Sequence, residues 1–343
     1  MTETGYISLY SNTVAIMLSF GVFVLVWKFK IRDKVEKRIL LGLLANIVVM
    51  ALFYILCSLR DSGMIPCSRI GAMFMETGLE MMINIFAMIW FLYTDYRIFH
   101  SIFHIKRNII IFTVPFILVA IMNLVNIPTA FMFDYDMNEH VTVEKTFYVI
   151  ADIIRLGYFF TSMFVLAVRK RRDEKMKFFS IRAFIIPLTF YVLLYYFTDY
   201  NTVSLGLAIG TTLIYAGMVN EKCYQDSETG FYNRLYLDYL KKRIHDNKYD
   251  LRSIVEFVVP ENEMEKLSPL ISKQLPESCF AIRYGKDRII VLSQVKDRGP
   301  LSMLTEDVQL AVETAGGSVE TGFKLKKKNE TAESFLDDYL KAN

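Results

Sequence analysis

Hydrophobic and polar positions divide the chain into two unlike parts. Up to residue 219, long apolar runs alternate with short polar stretches, whereas the rest is polar and carries only short apolar segments. Seven runs approach the ~20 residues that cross a membrane as a helix. They are 6–27, 39–59, 70–93, 109–126, 147–168, 178–197 and 202–219. We predict a seven-span α-helical membrane bundle over 1–219, a short linker over 220–225 and a soluble domain over 226–343.

Basic residues in the connecting loops predict the orientation of this bundle. Lys and Arg number six in 28–38, three in 97–107 and six in 169–177, while the alternate loops together hold three. Short loops rich in Lys and Arg stay on the cytoplasmic side of a membrane. The N-terminus is therefore expected outside and the C-terminus inside, with the bundle surrounded by membrane lipid. The net charge of +3 comes mostly from these loops, so it gives no indication of nucleic-acid binding.

Ionisable side chains lie inside two of the predicted spans. Glu76, Glu80 and Asn84 are four residues apart and share one helical face, and Asp152 and Arg155 share another. Charged groups in hydrocarbon usually face the interior of a bundle, because burying them unpaired costs several kcal/mol. Two interpretations remain open: an ion pair that fixes helix packing, and a polar site that binds an unknown small ligand or senses protons. Arg155 has two candidate partners, Asp152 nearby and Glu80 across helices.

Cysteine and glycine add two weaker signals. Cys57 and Cys67 both fall near the outer surface and form a candidate disulfide, with free thiols as the alternative. The cysteines show no CxxC spacing, so we expect no metal site. Gly206 and Gly210 form a GxxxG pattern, which permits close packing within the bundle or dimerisation of the chain.

The soluble part alternates helical and strand patterns. Helices are predicted at 234–245, 264–274, 301–314 and 331–343, and strands at 253–259, 279–284, 288–295 and 318–326. The two middle strands enclose a tight turn, within RYGKDRIIVL at 283–292. This order indicates an α/β domain with helices on at least one face of a sheet.

Two motifs in this domain resemble the GGDEF, or diguanylate cyclase, family of bacterial signalling proteins. DSETGFYNR, which includes Asp226, Thr229, Gly230, Asn233 and Arg234, is similar to the family's opening motif D-x-L-T-G-L-x-N-R. RYGKDRI is similar to the family's hairpin, R-Y-G-G-D-E-F. The resemblance covers about 226–343. It implies a nucleotide cyclase fold, a bacterial cytoplasmic membrane and a link to cyclic di-GMP, which the family makes from GTP with Mg²⁺.

The hairpin departs from the family pattern at the positions that carry the chemistry. Gly285 and Asp287 are retained, but Lys286 replaces the second glycine, Arg288 reverses an acidic charge and Ile289 replaces phenylalanine. The family's acidic pattern after the first strand is also missing. Mg²⁺ needs several oxygen ligands, so we expect no catalytic residues, no metal and no cofactor. Mg²⁺ and GTP enter only if the domain is active.

These observations predict a signalling receptor whose degenerate GGDEF-like domain acts without catalysis. It would relay a signal through a cytoplasmic protein or a second copy of itself, or by binding a nucleotide that it does not turn over. One alternative is an active diguanylate cyclase. Another is a transporter with a regulatory cytoplasmic domain.

Overall fold

A computed structural model describes residues 3–28, 34–99, 102–137, 141–172, 181–198, 200–246, 249–276 and 279–342. The chain divides into two compact units, Met1–Gly217 and Met218–Asn343. Where it is described, the first is helical apart from one small hairpin, and the second combines a sheet with helices.

Within its described residues the first unit contains seven helices, of which the last runs past the unit's end. They are α1 (Glu3–Lys28), α2 (Lys34–Asp61), α3 (Arg69–Phe99), α4 (Ile102–Thr129), α5 (Tyr148–Arg172), α6 (Ile181–Thr198) and α7 (Val203–Cys223). Within the described ranges, six helices are long and apolar enough to cross a membrane, by length and composition. In α6 the apolar part is shorter, Phe184–Leu194. The predicted sixth span begins at 178–180, outside the described residues, so a count of seven spans stays a prediction.

A two-stranded hairpin between α4 and α5 is a feature that the hydrophobic pattern did not predict. Strand β1 (Phe133–Asp136) pairs antiparallel with β2 (Val141–Glu144), with Phe133 opposite Glu144. Phe133 and Tyr135 are buried against Ala72 and Met73 of α3. Their alternation along β1 leaves Asp134 on the other face. The hairpin is therefore packed on the bundle through its apolar face.

The glycine pattern in α7 packs against α6. A Cβ added to Gly206 would lie 2.9 Å from Cβ of Tyr191, and one added to Gly210 would lie 2.7 Å from Cδ2 of Phe184. Both glycines therefore allow two neighbouring helices of the bundle to approach closely. This contact supports packing within the bundle as the role of the GxxxG pattern.

The second unit is built around a four-stranded antiparallel sheet. After α8 (Arg234–His245), the elements are β3 (Ser253–Val258), α9 (Met264–Gln274), β4 (Phe280–Arg283), β5 (Arg288–Ser293), α10 (Arg298–Thr314), β6 (Glu320–Leu325) and α11 (Ala332–Ala342). The strand order is β4-β5-β3-β6. From β3 to β6 this is the split β-α-β-β-α-β arrangement of ferredoxin-like folds. The helices and strands predicted from the sequence are all present, with ends that differ by a few residues.

Alternation along the central strands explains why both faces of the sheet are covered. Val255 and Phe257 of β3 and Val291 of β5 join a core with α9 and α10, to which Leu267 and Val308 contribute. The other face carries Ile254, Leu292 and Phe280, which are also buried. Phe280 lies beside Tyr236 of α8, with ring centroids 5.7 Å apart. A sheet with two apolar faces needs helices on both sides. The β4–β5 turn lies at the end of the strands, outside this cover, and Lys286 and Asp287 in it are exposed.

Candidate functional site

The opening motif forms a tight turn that is closed by its own side chains. Oδ1 of Asp226 accepts hydrogen bonds from the amide of Thr229 at 2.9 Å and from its hydroxyl at 2.8 Å. Gly230 has a φ of 74°, a left-handed conformation that favours glycine. The amide of Asp226 donates to the carbonyl of Phe231 at 2.7 Å. Asp226, Thr229 and Gly230 therefore have a structural role.

Asn233 links the end of α7 to the start of α8. Its Oδ1 accepts a hydrogen bond from the amide of Tyr236, so Asn233 is the N-cap of α8. Its Nδ2 donates to the carbonyl of Cys223, the last residue of α7, at 2.7 Å. One side chain thus satisfies a free amide at the start of one helix and a free carbonyl at the end of another.

The base of the β4–β5 hairpin is bound to the opening motif by two arginines. Nη1 of Arg283 lies 3.0 Å from Oδ1 of Asp226 and 2.5 Å from Oε2 of Glu228. Nε of Arg234 donates to the carbonyl of Tyr284 at 2.8 Å, and its guanidinium lies over the Tyr284 ring. These contacts hold Arg283, the last residue of β4, and Tyr284, which follows it, against the segment after α7.

A short parallel bridge adds a backbone connection at the same place. The amide of Tyr232 donates to the carbonyl of Ala281 at 2.9 Å, and the amide of Arg283 donates to the carbonyl of Tyr232 at 2.7 Å. Tyr232 is thereby paired beside Ile282 at the edge of β4. The segment after α7 is joined to the hairpin through main chain as well as side chains.

These contacts also shift the pKa of Asp226. Burial alone would raise the pKa of this carboxyl, but the hydrogen bonds from Thr229 and Arg283 favour its charged form and outweigh burial. Its pKa therefore lies below the ordinary value for aspartate.

The turn itself places cations beside one carboxylate of the neighbouring strand and one of the segment that follows it. Nη1 of Arg288 lies 3.5 Å from Oε1 of Glu256 in β3, and Nζ of Lys286 lies 3.5 Å from Oε1 of Glu261. The side chain of Lys286 is 82% exposed, so its ion pair contributes little to stability. Arg288 is half-buried, and the residue directly opposite it in β3 is Val258.

The remaining hairpin residues divide between core and turn. Ile289, at the family's phenylalanine position, is fully buried in the core. Gly285 lies in the turn, and its amide donates to the carbonyl of Arg288 at 3.2 Å. The carbonyl of Asp287 accepts from the amide of Val259 at 2.8 Å. In the described part of the chain, no group of three His, Cys, Asp or Glu side chains is placed to hold a metal ion.

The polar residues of α3 and α5 meet inside the first unit. Arg155 forms an ion pair with Oε2 of Glu80 and a second with Oδ1 of Asp152 at 3.0 Å. Its Nε donates to Oδ1 of Asn84 at 2.8 Å, and the hydroxyl of Tyr148 donates to Glu80 at 2.7 Å. Both partners predicted for Arg155 are therefore present.

Glu76 belongs to an adjoining set of contacts nearer the start of α3. Its Oε1 lies 2.6 Å from Nη2 of Arg60, which is buried and also 2.8 Å from Asp61. The hydroxyl of Thr142, in β2, donates to the same Glu76 oxygen at 2.7 Å. We call the combined set the outer polar cluster. Its members are Arg60, Asp61, Glu76, Glu80, Asn84, Thr142, Glu144, Tyr148, Asp152 and Arg155.

The cysteines of the candidate disulfide are free thiols. Cys57 is buried within α2, whereas Cys67 lies in the loop before α3 with its Sγ beside Gly71. The predicted bridge is therefore wrong. It followed only from the position of both cysteines near the same end of the predicted spans, which does not indicate that the Cys57 side chain is buried.

Sequence reasoning missed several members of these sites. The hydrophobic pattern places Arg60 in a loop and Tyr148 in a span, but both contact the carboxylates of α3. A second polar group near the start of α7 was missed as well. There the carbonyl of Asn201 accepts from Asn12 at 3.1 Å, and Ser204 donates to Oδ1 of Asn12. Asn12 and Ser204, polar residues within apolar runs, were the available signal.

Comparison with known proteins finds partial structural similarity. No model of a protein family matches the chain, and no curated protein matches it. Two solved structures of Vibrio cholerae LapD, an S helix-GGDEF-EAL fragment, are similar. The form bound to c-di-GMP has a TM-score of 0.32 and 13% identity over 36% of this chain, and the apo form has 0.29 and 12% over 35%. The chain spans about a third of those chains, 34% and 33%.

Two Pseudomonas aeruginosa structures are also similar. The FimX GGDEF domain has a TM-score of 0.26 and 16% identity, covering 35% of this chain and 95% of that one. Diguanylate cyclase SiaD, in complex with its activator SiaC, has a TM-score of 0.30 and 13% identity, covering 57% of this chain and 84% of that one. The solved structures named here all contain GGDEF domains or a diguanylate cyclase.

Proposed function

We propose that this chain is a bacterial transmembrane signalling receptor whose cytoplasmic domain relays a signal without catalysis. The observation that carries the proposal is the double attachment of the β4–β5 hairpin to the segment after α7. Arg283 binds Asp226, and Arg234 binds the carbonyl of Tyr284. A change in the position of the end of α7 would therefore reach the hairpin directly.

The charges of the hairpin favour a protein partner over a nucleotide. A site for a triphosphate and its cations needs positive groups that reach the phosphates and protein carboxylates that hold the cations. Here Arg288 is paired with Glu256, and Lys286 lies near Glu261. Val258 opposite Arg288 supplies no metal ligand. The turn is better suited to contact a cytoplasmic signalling protein, with its exposed Lys286 and Asp287 at the centre.

A turnover assay tests the absence of catalysis. Full-length protein in lipid nanodiscs is incubated with GTP and Mg²⁺, and cyclic di-GMP is measured, with the Asp287→Ala variant in parallel. We expect no product from either protein. Product from the native chain that disappears in the variant would instead establish the cyclase function.

A further inference from the structure

The β1–β2 hairpin lies on the outer polar cluster through one strand. The hydroxyl of Thr142 reaches Glu76, and Glu144, two residues further along β2, is on the same face of the strand. Under the predicted orientation this hairpin is on the outer side of the membrane. An external change that moves this hairpin would reach Glu76 through Thr142.

Carboxylates outnumber cations in this cluster. The described groups whose charges act on Glu144 are Glu76 and Glu80 of α3 and Asp152 and Arg155 of α5. Behind them, Arg60 of α2 pairs with Glu76 and Asp61, and Tyr148 of α5 contacts Glu80. Arg69 and Lys145 pair with Asp134 on the opposite face of the hairpin. Five carboxylates, including Glu144, therefore share two arginines, and like charges at close range favour protonation of one of them.

Asn84 is an independent sign that the cluster takes a ligand. The side chain is buried, with 4% of its surface exposed, and its Oδ1 faces Arg155. Its Nδ2 has no hydrogen-bond partner among the described residues. A buried amide donor is normally paired, often with an ordered water. Water that reaches Asn84 would connect Glu80 with the outside solution.

We propose that the outer polar cluster is a proton-binding site whose occupancy controls how firmly the β1–β2 hairpin sits on the bundle. The ligand is a proton because the charged groups already contact one another at hydrogen-bond distance, such as Arg60 with Glu76 at 2.6 Å and Arg155 with Asp152 at 3.0 Å. Protonation removes charge without displacing any of these contacts. The further claim that the proton is the stimulus of the receptor rests on the proposed function.

Two of the hairpin's carboxyls, those of Glu144 and Asp134, respond in opposite ways. The Glu144 side chain is exposed, but its partial removal from water raises its pKa, and the charges of Asp152 and Glu80 raise it further. Burial would also raise the pKa of Asp134, but hydrogen bonds from Arg69 and the Tyr135 amide lower it below its ordinary value. Ionised Glu144 repels the cluster, so the seated hairpin is favoured as the pH falls through the raised pKa of Glu144. Asp134 serves as the matched control.

Amide hydrogen exchange on full-length protein in nanodiscs tests the proposal, with rates corrected for intrinsic exchange at each pH. In the native chain we expect protection of 133–144 to rise severalfold between pH 7.5 and pH 5 (about one unit above the ordinary value of Glu). Glu144→Gln should show the high protection at pH 7.5 and lose the pH dependence, while Asp134→Asn should keep it.

The outcomes separate the site from the receptor function. Protection of 133–144 that does not change with pH in the native chain, or that changes equally in Glu144→Gln, overturns the proton site. A response of the hairpin with no change in protection at 226–234 supports the proton site and contradicts the relay to the cytoplasmic domain. A pH response in both 133–144 and 226–234 supports the proton site and the relay.

Discussion

Nη1 of Arg283 lies 3.0 Å from Oδ1 of Asp226, although 57 positions separate the two residues in sequence. This pair joins the base of the β4–β5 hairpin to the turn that follows α7. The β4–β5 hairpin is therefore attached to the segment that follows α7, and the effects of substitutions at this attachment can be predicted.

Replacing Arg283 by alanine should loosen this connection. The substitution removes charge-assisted hydrogen bonds to Asp226 and Glu228, for which we expect a loss of about 1–3 kcal/mol. Local unfolding measured by hydrogen exchange should increase at 226–232 and 283–289. Lys286→Ala, at an exposed position, is the control and should change stability by less than about 0.5 kcal/mol. Equal effects of the two variants would contradict the role of Arg283.

The same pair predicts an acid-sensitive opening motif. Because the pKa of Asp226 is lowered in the folded protein, its stabilising contribution is present above the ordinary aspartate value of ~4. The contribution is lost as the pH falls below that value and through the lowered pKa. Protection of 226–232 should therefore fall in this range for the native chain. Asp226→Asn should remove this pH dependence, and a persistent fall in the variant would assign the effect to another group.

Two substitutions at Asn233 separate capping from attachment. Asn233→Ala removes both the cap of α8 and the bond to the carbonyl of Cys223, and should cost about 1–2 kcal/mol. Asn233→Asp keeps an acceptor for the cap but cannot donate to Cys223. If attachment to α7 matters for the relay, the aspartate variant should change protection of the β4–β5 turn while α8 stays protected. Native protection of the turn in this variant would show that the cap alone matters.

Arg155→Ala should be among the more damaging changes in the bundle. It leaves Glu80 buried without its ion-pair partner, a loss of about 3–5 kcal/mol for buried pairs. Thermal unfolding in detergent should show a clear decrease in Tm. The double variant Glu80→Ala with Arg155→Ala should be less destabilised than the sum of the single variants, because neither charge is left unpaired. Additive effects would indicate that the two side chains do not interact.

Gly210→Ala should destabilise the packing of α7 on α6. The added methyl group would lie 2.7 Å from a ring atom of Phe184, and overpacking of this kind costs about 1–3 kcal/mol. Gly21→Ala in α1 is a matched control, because nothing lies within 4 Å of the added atom. Thermal unfolding of the two variants should therefore differ, with Gly21→Ala close to the native chain or slightly more stable.

Local pattern predicted the elements of the soluble domain well, because strands and helices there leave clear alternation and turn signals. Asn233, Asp226 and Gly230 were identified through their motif, but their contacts with Cys223 and Arg283 depend on tertiary structure. In the bundle, the shared face of Glu80 and Asn84 was visible as a four-residue spacing. The participation of Thr142 was not, since a four-residue strand in a polar loop leaves almost no periodic signal.

The bridge at Tyr232 has a mechanical consequence. Its two backbone hydrogen bonds, with Ala281 and Arg283, lie side by side and run across the chain direction of β4. A pull along the segment therefore loads both bonds together in shear. Small axial forces would be transmitted without slippage, whereas a sideways force would peel the segment away one bond at a time.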